Sequence, residues 1–278
     1  MAADISIIVP VFNEAENILP LAKEVAAALA GERRSVELVF VDDASTDDTW
    51  AKIEEAHRLD PRVRGLRHSR NGGQSAALWT GLQNSSGAVL ATLDGDLQND
   101  PADLPKLIGE LARVDFVSGM RLARRDNFVR RASSQIARWV RQRVLKSDFR
   151  DTGCAIRAFK RSALEGLFPF NGLHRFLPLL VHGNGVITLE VPVKHRPRLA
   201  GVSKYGVWNR LGRGIYDLFA IAWYQKRRLR PVPFTELKES ANPTCETRSP
   251  KLQDEIRNTK EAPNAERGND ARSVESEG

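Results

Sequence analysis

The stretch Val89–Pro101, VLATLDGDLQNDP, ends an apolar run on Asp94, Asp96, Gln98 and Asp100. Carboxylates this close repel one another, and a bound cation offsets that repulsion. Asp94 closes the run, Gly95 permits a sharp turn, and Asp96 and Gln98 then present oxygens toward one point. Mg2+ and Mn2+ take oxygen ligands in octahedral geometry at about 2.0–2.1 Å, completing the shell with phosphates and water. An ion held there links protein to a diphosphate and neutralises a leaving group. The same residues also fit a solvated loop with Asp100 as a helix N-cap and Pro101 in the first turn.

The elements around this turn decide between the two. ISIIVPV, residues 5–11, reads as a buried strand, and ILPLAKEVAAALAG as an amphipathic helix closed by Gly31. VELVFV, residues 36–41, is a second buried strand ending at Asp42 and Asp43, with Ser45 and Asp47 as caps for a helix over 48–59. RVRGLRH is a weaker strand, NGGQSAALWTGLQNSSG a glycine pair opening a helix, and AVLATLD the fourth strand. Strand and helix alternate four times, which predicts a Rossmann-like, open, mainly parallel sheet with helices on both faces. Such sheets bind ligands outside the carboxyl ends of their strands. FNE (12–14), DDAS (42–45) and DGDLQ (94–98) are therefore expected to face one crevice.

The second half is less regular. Helices are expected over 102–112, 128–146 and 173–185, strands over 114–118, 154–160 and 186–193, and a basic glycine-containing loop over 194–206. A helical pattern returns from Val207 to about Leu229, and beyond Pro231 the chain turns polar, the composition of a disordered tail. The expected organisation is a catalytic domain over 1–206, an amphipathic helix over 207–231 and a polar tail over 232–278.

The 278 residues carry a net charge of +7. Residues from Thr235 onward hold seven Lys/Arg against ten Asp/Glu, so the first 234 carry +10. That surplus points to anionic partners. Two cysteines, Cys154 and Cys245, give no disulfide framework and fit a reducing compartment. The N-terminus lacks a signal-peptide pattern, and no run of about 18 apolar residues predicts a membrane span.

Seven stretches, in order, carry a resemblance: IIVPVFNEAENI, VELVFVDDASTDDT, RNGGQSAAL, LDGDLQNDP, DTGCAIRAFKR, HRFLPLL and RLAGVSKYG. Across roughly residues 5–210 the sequence resembles the inverting glycosyltransferases of family 2, with the GT-A fold. Within that family it is similar to the dolichol-phosphate mannosyltransferase and polyprenyl-phosphate glycosyltransferase branch.

The resemblance implies transfer of a hexose from a GDP- or UDP-linked sugar to a polyprenyl phosphate. It places Pro10, Phe12, Asn13, Glu14, Asp42, Asp43 and Gln74 at the nucleotide, and Asp94, Asp96 and Gln98 at Mg2+ or Mn2+. Arg121, Arg130, Arg131 and Ser134 match positions that bind the lipid phosphate and sugar diphosphate. Arg198, Ser203 and Lys204 belong to a loop that closes on the diphosphate, with Ser203 counted toward the acceptor phosphate. His174 and Arg175 lie against donor and acceptor. Asp151 matches an acidic residue near the acceptor. A phosphate monoester has a second pKa of roughly 6, so it needs no strong base, and Asp151 is expected to orient or assist.

Each role has a plainer rival: strand exits with helix caps for the first group, a turn carboxylate for Asp151, an ordinary basic loop for 198–204. The run Arg121–Lys146 holds nine Lys/Arg and one acid, Asp126, and also fits a solvated face. Only Phe128 and Trp139 interleave it, so nucleic acid is not the expected partner. QIARW, residues 135–139, imitates a processive-synthase signature but precedes the acidic DTGC segment, the wrong order for one. Over LGRGIYDLFAIAWYQKRRLRP, aromatics gathered at helical spacing before KRRLR fit an interfacial helix on anionic lipid. The family often continues into membrane spans; here the continuation is polar. The expected location is therefore peripheral, on the cytoplasmic face of a membrane, with a membrane-anchored partner or a homo-oligomer as possible associates. The rivals to this function are a glycosyltransferase with a glycolipid or polysaccharide acceptor, and a silent nucleotide-binding scaffold.

Overall fold

Seven strands form one sheet in the order β3-β2-β1-β4-β6-β5-β7. The computed structural model describes residues 3–121, 149–196, 219–224 and 226–227. The strands are β1 (Ile5–Val11), β2 (Val36–Asp42), β3 (Val63–Arg67), β4 (Val89–Thr92), β5 (Phe116–Arg121), β6 (Arg157–Lys160) and β7 (Thr188–Val193). The helices are α1 (Ala15–Ala28), α2 (Thr49–Leu59), α3 (Gln74–Asn84), α4 (Leu104–Glu110) and α5 (Leu173–Gly183). β1 pairs in parallel with β2 and β4, β2 with β3, and β5 with β7; β6 alone runs antiparallel, between β4 and β5. The expected mainly parallel sheet is what the chain forms.

Strand alternation divides the core between two faces. Ile5, Ile7, Val9 and Val11 of β1 pack with Ile18, Leu21 and Val25 of α1 and with residues of α2 and α4. Ile8, Val39 and Val41 pack on the other face with Ala77, Leu78 and Leu82 of α3 and the apolar side of α5. Each such buried aliphatic side chain contributes about 1.5–3 kcal/mol. Gly81 lets α3 lie directly on β1, because a Cβ there would run into Ile8.

Two local expectations need correction. α1 ends at Ala28, and Gly31, outside the left-handed region, is not its cap. Ser45 does not cap α2: its Oγ accepts from the Asn13 amide at 2.9 Å, while Asp47 accepts from the Thr49 amide at 3.0 Å. Asp100 does cap the turn that starts at Pro101, accepting from the Ala102 amide at 3.0 Å. The expected helix over 128–146, most of 207–229 and the polar tail lie outside the described residues.

Candidate active site

The chain leaves β1 on one side toward β2 and β3 and returns through α3 to β4 on the other. The strand order therefore reverses at β1, and ligands of open α/β sheets bind at such a switch point. Pro10 marks the opening. Ile8 gives its carbonyl to Leu93 at 3.1 Å, so by alternation Pro10 faces the same side, beyond the last β1–β4 pair, Ile8–Thr92. Its missing N–H costs no ladder bond there. Gly95 lies against this point, since a Cβ on it would come within 2.7 Å of Val11 Cγ1. Gly95 is outside the left-handed region, so close approach, not turn geometry, is what demands glycine.

Three turns at this edge each hold a non-glycine residue at positive φ: Asn13 at 55°, Ala44 at 60° and Leu97 at 58°. Each costs roughly 1 kcal/mol or more, and each is held by its surroundings. The Asn13 side chain accepts from the Thr46 amide at 2.9 Å, the Ser45 amide donates to Asp42 Oδ1 at 2.9 Å, and the Glu14 amide donates to Thr49 Oγ1 at 2.8 Å. The first two turns are thus buttoned together. Leu97 is anchored by its own side chain, 3% exposed in the core.

The expected nucleotide residues gather here with particular partners. Asp42 is fully buried, with Oδ2 3.2 Å from Arg67 Nε. Asp43 accepts from the amides of Gly72 at 2.8 Å and Gly73 at 2.7 Å, and pairs with His68 Nδ1 at 2.7 Å. His68 reaches on to Thr80 Oγ1 at 2.9 Å. Asp43 therefore fixes the start of α3. Glu14 accepts from Asn17 Nδ2 at 2.6 Å. Phe12 and Asn13 are half-buried beside it.

Gln74, first residue of α3, donates to Asp94 Oδ1 at 2.8 Å, joining the glycine-led helix to the acidic turn. Ser75 beside it sits 2.6 Å from His174 Nδ1 and accepts from the Gly172 amide at 2.9 Å. Burial, with Arg175 and Arg157 adding to it, pushes the His174 imidazole down to about 4, so it is neutral at physiological pH. Asp96 is buried and accepts from the Gln98 amide at 3.2 Å.

At the end of β5, on the same edge of the sheet, Arg121 and Asp151 form a two-pronged pair, Nε–Oδ2 2.7 Å and NH2–Oδ1 2.8 Å. These hydrogen bonds hold the Arg121 guanidinium above its ordinary pKa. Glu190 of β7 supports the turn from below, accepting from the amides of Arg150 at 2.7 Å and Asp151 at 2.9 Å. The segment leading to the basic loop is stapled to the acidic turn. The Arg196 amide donates to Gln98 O at 2.8 Å, and its guanidinium pairs with Asp100 at 2.8 Å and Glu24 at 2.7 Å. Arg130, Arg131, Ser134, Arg198, Ser203 and Lys204 lie outside the described residues.

The donor set suits a hard cation. Among the described residues no group of three or more His, Cys, Asp or Glu could hold a metal by itself. Two carboxylates and an amide one turn apart need phosphate oxygens to complete a shell, which is how Mg2+ is usually held.

Sequence reading passed over His68, Glu190, Arg196 and Arg157. Arg157 carried a signal: a guanidinium between apolar residues in CAIRAFK, a strand that packs on both faces.

An open, mainly parallel sheet with a D-x-D turn at its switch point is the frame of a GT-A-type transferase. The chain belongs to glycosyl transferase family 2, whose description it matches over residues 6–168. It is 35% identical over 237 residues to the dodecaprenyl-phosphate galacturonate synthase of Rhizobium johnstonii, covering 83% of this chain and 70% of that one. It is 33% identical over 216 residues to the undecaprenyl-phosphate 4-deoxy-4-formamido-L-arabinose transferase of Edwardsiella ictaluri, covering 77% and 66%. The chain thus spans about two thirds of these relatives' length. Among solved structures, the glucosyl-3-phosphoglycerate synthase of Mycobacterium tuberculosis with Mn2+, UDP and phosphoglyceric acid shares the fold at a TM-score of 0.61 and 20% identity, covering 83% of this chain and 80% of that one. The mannosyltransferase of Pyrobaculum calidifontis with GDP-Man and Mn2+ does so at 0.56 and 22%, covering 83% and 66%.

Proposed function

We propose that this protein transfers a sugar from a nucleoside-diphosphate sugar to the phosphate of a polyprenyl phosphate, with inversion. The observation that carries this reading is two groups at the carboxyl edge of one sheet: the Asp94–Asp96 turn at the β1/β4 switch, and the Arg121–Asp151 pair at the end of β5, where the charge of Asp94 acts on Arg121. Relatives that both act on long-chain prenyl phosphates support the acceptor.

In this reading Pro10, Phe12, Asn13, Glu14, Asp42 and Asp43 line the base and ribose, and Gln74 holds Asp94 toward the diphosphate. Asp94, Asp96 and Gln98 would hold Mg2+ or Mn2+, which when bound supplies charge neutralisation for the departing diphosphate. An acceptor phosphate oxygen attacks the anomeric carbon from the face opposite the diphosphate. The new bond is carbon to phosphate oxygen; the bond broken is carbon to diphosphate oxygen, and nucleoside diphosphate leaves. Asp151 orients Arg121, and no proton need be removed from a phosphate already ionised near pH 7. Arg130, Arg131 and Ser134 complete the acceptor site. The family resemblance assigns Arg198, Ser203 and Lys204 to a loop that closes on the diphosphate and excludes water.

The acceptor is a membrane lipid in this reading, so the chain works at a membrane surface. Among the described residues no helix is long and apolar enough to cross a bilayer. Phe219 and Trp223, one turn apart and 63% and 65% exposed, support an interfacial contact, with Lys226 and Arg227 exposed beside them.

The test is incubation with membranes, Mg2+ or Mn2+, and a panel of radiolabelled nucleotide sugars. Label is expected in a mild-acid-labile lipid. Label confined to alkali-stable glycolipid would assign a different acceptor, and nucleotide binding without transfer to anything would assign a scaffold.

A further inference from the structure

Arg157 stands on β6 opposite Thr92 of β4 and Ser118 of β5, and is 2% exposed. Its NH1 donates to the His174 carbonyl at 2.8 Å and its NH2 to the Thr152 carbonyl at 3.0 Å. Nε is buried and meets no acceptor. Among the described residues no carboxylate lies within ion-pair distance of it. Asp94, Asp151 and Arg121 act on it through their charge from beyond ion-pair distance. Burial lowers its pKa to about 10, which leaves it a cation at neutral pH.

Among the described residues this buried cation has no ion-pair partner, and two carbonyl dipoles offset only part of the cost of burying it. The proposed reaction has the opposite problem. It brings a phosphate dianion toward a diphosphate ester in a crevice that already holds Asp94, Asp96 and Asp151, while the charge of Arg121 is claimed by Asp151. Arg157 also ties the two sides together. It holds Thr152, next to Asp151, and it holds His174, which contacts Ser75, the neighbour of the Gln74 that binds Asp94.

We propose that Arg157 is a positioning residue for the acceptor phosphate. It locks the Asp151–Thr152 turn to the first turn of α5, and its buried charge, which no carboxylate of the described residues pairs with directly, favours the phosphate dianion at that turn. The inference rests on the polyprenyl-phosphate reading above.

The test compares Arg157→Lys, which keeps the charge and loses the fork, with Arg157→Gln, which loses the charge. The full chain in detergent is titrated calorimetrically with decaprenyl phosphate and with uncharged decaprenol between pH 5 and pH 8. R157Q is expected to bind decaprenyl phosphate at least about tenfold more weakly, with decaprenol unaffected, and R157K to stay within about threefold. A positive charge stabilises the dianion, so the pH below which binding fades should move up in R157Q and not in R157K. Both variants binding like the parent protein would overturn the proposal. So would equal losses in both with no change in the pH midpoint, which would mark Arg157 as structural. If R157Q does not fold, R157K decides: retained affinity supports the charge role and a tenfold loss overturns it. A parent protein that does not distinguish decaprenyl phosphate from decaprenol would instead overturn the acceptor reading, a failure visible before any substitution.

Discussion

Arg121 and Asp151 meet through two parallel hydrogen bonds of 2.7 and 2.8 Å, and the Arg121 amide adds a third contact to Oδ2 at 3.3 Å. The family resemblance assigns them different roles, one toward a phosphate and one as an acidic assistant. In the fold they are a single unit, a guanidinium whose fork is oriented by a carboxylate. Such charge-assisted, two-pronged geometry is rigid as well as strong.

The pairing argues against Asp151 as a general base, because both of its oxygens already accept from Arg121, and Oδ1 also from the Gly153 amide at 3.2 Å. Asp151→Asn is expected to lower kcat/KM about ten- to a hundredfold, toward the low end of what loss of a base removes. The acid limb of the pH profile should persist, since the second ionisation of the acceptor phosphate, near about 6, sets it. In a double-mutant cycle with Arg121→Ala the two losses should overlap by more than about 1 kcal/mol. Disappearance of the acid limb in D151N would sink this assignment.

Asp96 is the test of the cation. Asp96→Ala is expected to reduce transfer by at least about a hundredfold, the scale of losing one preorganised electrostatic group, with an unchanged circular dichroism spectrum. Removing the metal with EDTA should have the same effect on the parent protein and none on the variant. Mn2+ should tighten binding of UDP or GDP to the parent and not to D96A. Near-normal turnover by D96A would refute the role.

What the sequence displayed and what it concealed follow from physical range. The alternation of β1 through β4 was legible because each element buries one side of itself, and burial writes a period into the chain. The D-x-D turn was legible because like charges after an apolar strand are locally anomalous. The left-handed turns were not, since Asn13, Ala44 and Leu97 carry no glycine to announce them, and Leu97 is held by distant core contacts. Ser45 resembles a helix cap until β1 arrives beside it and takes its hydroxyl. Arg157 lay within a matched stretch, but only the fold shows that no carboxylate of the described residues reaches it.

Gly95 offers a test of how tightly the acidic turn is seated. Gly95→Ala would place a Cβ 2.7 Å from Val11 Cγ1, an overpacking that costs about 1–3 kcal/mol and tilts Asp94 and Asp96 away from their present directions. Both melting temperature and transfer rate should fall. Adding Val11→Ala vacates the space, so the pair of substitutions should recover activity relative to G95A alone, although loss of the buried Val11 side chain keeps stability below the parent. Failure of V11A to restore any activity would mean that the turn requires glycine for a reason other than this contact.

The neutral His174 makes a pH-dependent contribution whose sign is fixed. Its pKa falls from 6.5 to about 4, chiefly through burial and then through Arg175 and Arg157. The unfolded chain therefore binds a proton between those values that the folded chain refuses. Stability must rise with pH across that window and fall as the medium is acidified from about 6.5 toward 4. The full difference is worth up to about 3 kcal/mol. Glu37 acts in a lower window. Burial opposes its ionisation, but hydrogen bonds from Ser6, Ser86 and Arg64 outweigh this and hold its pKa at about 2 against an ordinary 4.5, so its contribution is lost as the pH falls from about 4.5 toward about 2. Urea unfolding at pH 7, 6, 5 and 4.5 should show the decline, and His174→Gln should flatten it while costing stability at pH 7 through the altered contact with Ser75. An unchanged slope in H174Q would show that the imidazole is protonated in the fold and that the Ser75 contact is not with the neutral ring.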